Sequence, residues 1–191
     1  MFRSDLEQAR VILDVLRWLG EGEKMVLLCD GWDRPVFRHP VMEAAIEEGR
    51  LKVLPSQGTL CPAGRLEPDE VVEMVLGEFE QALEEGFEAM AMVWDCSWVA
   101  KDAALAQQFM VLESQLALAS LSLDITLLCS YDTRSFNTSE TDMLRRIHQL
   151  VLEDGKLSRN FWVVSTNALG KRAVRTRPAS VRTGAAASPS K

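Results

Sequence analysis

The chain has 191 residues, of which 47% are hydrophobic and 26% are charged. These proportions are typical of a globular domain, and they exclude a fully disordered chain, a collagen-like fibre and a disulfide-rich miniprotein. The net charge of −7 argues against nucleic acid as a direct partner of the main body, because an acidic surface repels a phosphate backbone.

Helical and strand patterns alternate along the chain. In order, they predict helix 6–19, strand 24–29, helix 41–48, strand 51–54, helix 68–85, strand 89–94, helix 101–120, strand 124–129, helix 139–154 and strand 161–165. The strands are continuous apolar runs, as expected for strands that are covered on both faces. Strand–helix alternation then predicts a three-layer α/β/α sandwich with a mainly parallel sheet of about five strands.

The last predicted helix depends on a few residues. Ser139 is placed to cap its N-terminus, and Gly155 is placed to end it. Leu144, His148 and Val151 fall on its apolar face. We therefore expect His148 to be a hydrogen-bonded core histidine, which is commoner on such a face than a catalytic one.

Domain organisation follows from a change in composition near the C-terminus. Residues 1–166 are predicted to form one α/β domain, and residues 167–191 a basic tail. The stretch 171–191 carries six basic residues and no acidic ones and is rich in Ala, Ser, Thr and Pro. Such a segment buries too little apolar surface to fold, so we expect the tail to be disordered.

Sequence features also predict the compartment. The charged N-terminus lacks the apolar stretch of a signal peptide, and the most apolar helix, 103–123, contains too many polar residues to span a bilayer. The four cysteines are widely spaced, which is typical of reduced thiols in the absence of a secretory signal. A cytoplasmic protein without membrane contact is therefore predicted.

Acidic and aromatic residues follow three of the predicted strands. Because parallel strands present their carboxyl ends at one edge of a sheet, these residues are expected to form a small-molecule site. Trp and Tyr would supply apolar contact, while Asp and Arg would orient a polar group. The predicted ligand-binding residues are Asp30, Trp32, Asp95, Ser97, Trp98, Tyr131, Asp132 and Arg134. The alternative is that the aromatic side chains cover the sheet edge and the aspartates cap turns.

Several catalytic signatures are absent from the sequence. No G-x-x-x-x-G-K-[ST] motif, no G-x-G-x-x-G after a strand and no G-x-S-x-G elbow occurs. Nucleotide chemistry of the usual kind and serine hydrolysis are therefore disfavoured. We predict no catalytic residue, no cofactor and no metal ligand in the main interpretation.

Two further features of the sequence indicate alternative sites. Cys29, Cys96 and Cys129 follow or end predicted strands and could converge as a thiol or metal sensor, although free cysteines often pack as small apolar side chains. Glu113 is the one charged residue in 103–123. If it faces inward it needs a partner, such as Arg134 or the Trp98 indole; otherwise it lies on an exposed stripe.

The chain resembles the MEDS family, the methanogen/methylotroph sensory domain, over about residues 10–165. The matching segments run from 49–51 through 64–69 and on to 86–87, 94–98, 112–113 and 128–132, followed by Arg134, Phe136, His148, Arg159 and Asn160. The sequence departs from the family by starting at the first helix, where the family usually has a preceding strand and loop. It also has Gln149 where a proline is common.

The resemblance implies a RecA/KaiC-like fold that lacks the phosphate loop. It also implies a non-catalytic sensory or regulatory domain that binds a small organic molecule. Such a domain is expected to signal through a protein partner or as a homo-oligomer. Two other functions stay open: a protein-interaction module without ligand, and an enzyme with an unrecognised site.

Overall fold

A parallel sheet forms the centre of the protein. The computed structural model describes residues 1–119, 123–148, 150–153 and 156–159. All neighbouring strands of the central sheet run parallel. In the spatial order β2-β1-β3-β4, its members are β1 (Glu23–Leu28), β2 (Leu51–Leu54), β3 (Ala89–Asp95) and β4 (Ile125–Ser130). The predicted α/β class with a mainly parallel sheet is confirmed.

Helices precede and connect the strands. They are α1 (Asp5–Trp18), α2 (Pro40–Glu47), α3 (Ser56–Leu60), α4 (Pro68–Glu84), α5 (Ala103–Ala119) and α6 (Thr138–Ile147). The short helix α3 lies in a segment for which the sequence predicts a loop. Of the helices in this part of the chain, none combines the length and apolarity that crossing a bilayer requires.

Two apolar clusters lie on opposite faces of the sheet. Leu27 packs with Ile12 of α1 in one cluster, to which α2 also contributes. Leu28 packs in the other cluster, together with Val75 of α4 and Phe109 of α5. Successive strand residues point to opposite faces, so a continuous apolar run fills both clusters at once. The sheet is thus covered on both sides, which gives three layers.

The end of α6 differs from the prediction. Asn137, not Ser139, caps the helix, and it forms a reciprocal capping box with Glu140. The helix stops before His148, whose backbone is extended with ψ 137°. The predicted continuation of the helix through Val151 is wrong, because that residue lies in an antiparallel hairpin.

This hairpin comprises β5 (Leu150–Glu153) and β6 (Lys156–Arg159). The N-terminal residues connect the hairpin to the central sheet. Phe2 forms a parallel bridge with Asp132, just beyond β4, and the N-terminal amine donates to the carbonyl of Leu152 at 2.7 Å. The predicted strand 161–165 and the predicted tail 167–191 lie outside the described residues.

Candidate functional site

Three predicted aspartates lie at the carboxyl ends of parallel strands. The Oδ2 atom of Asp30, after β1, accepts a hydrogen bond from the backbone N–H of Gln57 at 3.0 Å. Asp95, at the end of β3, and Asp132, beyond β4, each accept from the backbone N–H two residues later, at 3.1 and 3.0 Å. The carboxylates of Asp95 and Asp132 therefore cap local turns, which is the alternative that the sequence left open, whereas the carboxylate of Asp30 binds the backbone at the start of α3, 27 residues along the chain.

Hydrogen bonds join several of the predicted residues along this edge. Ser56 Oγ donates to the carbonyl of Asp95 at 2.6 Å and accepts from the indole Nε1 of Trp98 at 3.0 Å. The hydroxyl oxygen of Ser97 accepts from the backbone N–H of Asp132 at 3.0 Å. The ends of β3 and β4 and the start of α3 are thereby held together.

Trp32 and Arg134 lie outside the hydrogen-bond network of Ser56 and Ser97. Trp32 stacks on Phe37 with ring centroids 5.4 Å apart and packs against the cluster that contains α1. Trp98 belongs to the cluster on the opposite face of the sheet. Arg134 is exposed and forms a 2.6 Å ion pair with Asp132. The two tryptophans therefore do not face one another.

A cavity of about 90 Å³ lies between α5, α6 and the turn after β3. Tyr131 is the one predicted site residue among its described lining. Trp98 contacts the lining residue Phe109 edge to face, with ring centroids 6.1 Å apart. Most of the wall is apolar, with carboxylates from two helices. Representative lining residues are Ala106, Phe109, Glu113, Tyr131, Glu140 and Leu144.

Glu113 lies at the centre of a buried polar cluster beside the cavity. The Tyr131 hydroxyl donates to its Oε1 at 2.5 Å, and Nε2 of His148 is 3.1 Å from the same oxygen. The predicted partners, Arg134 and the Trp98 indole, are wrong. Arg134 forms an ion pair with Asp132 on the surface, and Trp98 donates a hydrogen bond to Ser56. Tyr131 and His148 contact Glu113 instead, and they come from two other elements.

The electrostatics of Glu113 and His148 are coupled. Burial raises the pKa of Glu113, but the hydrogen bond and charge of His148 and the hydroxyl of Tyr131 outweigh it, so the pKa lies below its usual value. Burial lowers the pKa of His148, but contacts with Cys129 and the carboxylate of Glu113 outweigh it and raise the pKa. The pair is therefore held as an imidazolium and a carboxylate.

Cysteines occupy both faces of the sheet. Cys129 at the end of β4 contacts Cys96, which is fully buried in the same cluster. Cys29 packs on the other face, and burial raises its pKa to about 12. A three-cysteine site with Cys29 is therefore wrong, because strand alternation points that side chain away from the other two.

Among the described residues, one cluster has the spacing of metal ligands. Donor atoms of Glu113, Cys129 and His148 all lie within 4.8 Å of one another. The positions of these three residues in the sequence do not group them. The sequence signal for Glu113 was its position as the single charged residue of an apolar helix. A charge that is buried there is costly unless it has a partner.

Comparison with known proteins identifies the family. No curated protein matches the chain, and no solved structure matches it. The family model described as MEDS, the methanogen/methylotroph, DcmR sensory domain, matches residues 1–149, which is most of the chain. The matched range contains β1 to β4, the cavity between α5 and α6, and the cluster around Glu113. The chain therefore belongs to the MEDS family of sensory domains.

Proposed function

We propose that this sensory domain binds a small organic molecule in the cavity between α5 and α6, without catalysis. It then signals through a protein partner or a second copy of the chain. The observation that carries the proposal is a mostly apolar cavity whose wall includes two carboxylates, those of Glu113 and Glu140. An apolar wall with a few polar groups is the usual composition of a ligand pocket.

The volume of the cavity limits the size of the ligand. An engineered apolar cavity of about 150 Å³ holds benzene, which has six non-hydrogen atoms. By proportion, a cavity of about 90 Å³ takes roughly four. Such a ligand gains at most about −6 kcal/mol, which corresponds to a dissociation constant of tens of micromolar.

The charges of the wall favour one class of ligand. Glu113 is already paired with the His148 imidazolium, but Glu140 adds a further negative charge, and none of the described lining residues is basic. A ligand with an apolar body and a cationic or hydrogen-bond-donating group is therefore preferred, and a carboxylate is disfavoured. A short alkylamine matches this chemistry best, followed by a short alcohol.

A route for signalling follows from the origin of the lining residues. Phe109 lies in α5, whereas Glu140, Met143 and Leu144 lie in α6. A bound molecule touches both helices and so stabilises one arrangement of α6 over others, which is the requirement for a ligand-driven population shift. Contact of the ligand with the seven predicted residues other than Tyr131 stays a prediction.

Calorimetric titration with propylamine, 1-propanol and acetate, which have the same number of non-hydrogen atoms, tests this function. We expect propylamine to bind most tightly, 1-propanol more weakly, and acetate not at all. Ala106→Leu adds three carbon atoms inside the cavity and should abolish binding. Ala104→Leu is the matched control, because Ala104 lies on the exposed side of the same helix. Light scattering with and without propylamine then reports any change in assembly.

Two results would contradict the proposed function. One is the absence of heat with propylamine and 1-propanol at millimolar concentration in the wild-type protein. The other is binding by the Ala106→Leu variant with wild-type affinity, since the added side chain leaves no room for a ligand in that cavity.

A further inference from the structure

Three metal-binding side chains converge from separate elements. Glu113 comes from α5, Cys129 from β4, and His148 directly follows α6, and their donor atoms lie within 4.8 Å of one another. We propose that they bind one zinc ion. Thiolate sulfur, imidazole nitrogen and carboxylate oxygen are the donors that zinc takes, and three protein ligands are typical of zinc sites that keep an open coordination position.

The distances allow coordination with small movements. Tetrahedral zinc with bonds of about 2.0–2.3 Å places neighbouring ligand atoms about 3.3–3.8 Å apart. His148 Nε2 and Glu113 Oε1 are 3.1 Å apart, so these two already lie at coordination spacing. With no pair of donor atoms beyond 4.8 Å, side-chain shifts of about 1 Å complete the site.

Hydrogen bonds outside the cluster orient the ligands for metal binding. Nδ1 of His148 is 2.8 Å from the carbonyl of Leu144. A carbonyl can only accept, so Nδ1 carries a proton and Nε2 is the nitrogen available to a metal. The Tyr131 hydroxyl fixes the carboxylate of Glu113 in the same way. Supporting hydrogen bonds to the ligand side chains are a usual feature of metal sites.

A second, independent observation concerns the other carboxylate oxygen of Glu113. Oε2 of Glu113 is buried and has no hydrogen-bond partner among the described residues. A buried carboxylate oxygen without a donor is costly, and a bound metal ion would be the partner that this oxygen lacks. On binding, zinc displaces the Cys129 thiol proton and the proton on His148 Nε2, and both protons are released to solvent. Glu113 also lines the cavity, so the metal titration is made without any organic ligand and its outcome does not depend on ligand binding.

Cobalt titration tests the site spectroscopically. The full chain, freed of any affinity tag and kept reduced, is titrated with Co²⁺ and then with Zn²⁺. We expect one equivalent to produce the near-ultraviolet band of a cobalt thiolate, and zinc to remove it. Cys129→Ser should lose the band. Cys29→Ser is the matched control and should keep it, because Cys29 is a buried thiol on the other face of the sheet.

A measurement on the wild-type protein removes any dependence on how the variants fold. The sequence has two histidines, so nitrogen NMR resolves both imidazoles. Zinc should shift the Nε2 signal of His148 and leave His39 unchanged. Glu113→Gln should weaken cobalt binding at least tenfold. The proposal is overturned if no saturable cobalt band forms, if Cys129→Ser keeps the band, or if zinc shifts His39 alone.

Discussion

The hydroxyl of Tyr131 is the most informative single group to remove. Tyr131 is 1% exposed and is the one tyrosine of the sequence. Its hydroxyl donates to Glu113, and its ring packs edge to face against Phe136 and His148, each at 5.7 Å. Tyr131→Phe keeps these ring contacts and removes only the donor, so the variant isolates one buried hydrogen bond to a carboxylate.

The size of the effect follows from that geometry. A hydrogen bond to a charged group contributes about 1.5–3 kcal/mol. Because His148 still contacts the same oxygen at 3.1 Å, we expect the lower half, about 1.5–2 kcal/mol. For a domain of this size, that lowers the melting temperature by about 3–8 °C. Tyr131→Ala also loses the ring and should cost about 3–5 kcal/mol.

Urea unfolding followed by circular dichroism measures both variants. We expect the midpoint to fall while the denaturant slope m is unchanged, since the surface exposed on unfolding stays the same. A loss below about 0.5 kcal/mol for Tyr131→Phe would show that the bond to Glu113 contributes no net stability. A loss equal to that of Tyr131→Ala would show that the ring does not pack as described.

Two further changes test the sheet edge and the hairpin. Ser56→Ala leaves the Trp98 indole and the Asp95 carbonyl without their buried partner, so urea unfolding should show a loss of about 2–4 kcal/mol; no loss would contradict the network. The hydrogen bonds of Arg145 hold the pKa of Glu153 below its usual value, so their stabilisation is present above about pH 4.5 and lost as the pH falls through the lowered pKa. Glu153→Gln should therefore lose up to about 1 kcal/mol at pH 7 and progressively less towards pH 2, whereas a difference that is constant with pH would refute the assignment.

Local sequence was sufficient for the central sheet. The apolar run predicted as 24–29 corresponds to β1 at Glu23–Leu28, and β2 has the predicted bounds. Continuous apolar runs need cover on both faces, and the intervening helices supply it, so pattern and architecture agree. The same reasoning failed after α6, where Leu150–Glu153 fits a helical stripe but forms β5. Pairing with β6 decides that segment, and such pairing is not a local property.

The same distinction between local sequence pattern and tertiary contact applies to the candidate site. The sequence placed Asp30, Asp95 and Asp132 at the strand ends, and the structure has them there, but with their carboxylates accepting hydrogen bonds from backbone N–H groups. The sequence also marked Glu113 as an exceptional charge. It did not identify Tyr131 and His148 as its partners, because nothing in the spacing of α5, β4 and α6 states which side chains meet.

The sequence by itself determined the α/β class, the parallel strands and the membership of the MEDS family, since each rests on local periodicity or on short ordered motifs. Tertiary structure alone decided which residues line the cavity and which form the buried charged pair. Glu113, Cys129 and His148 are up to 35 residues apart in the chain and come together only when α5 and α6 pack against β4. A buried carboxylate must be matched by whatever groups the fold brings to it, and that match is a property of the packed molecule.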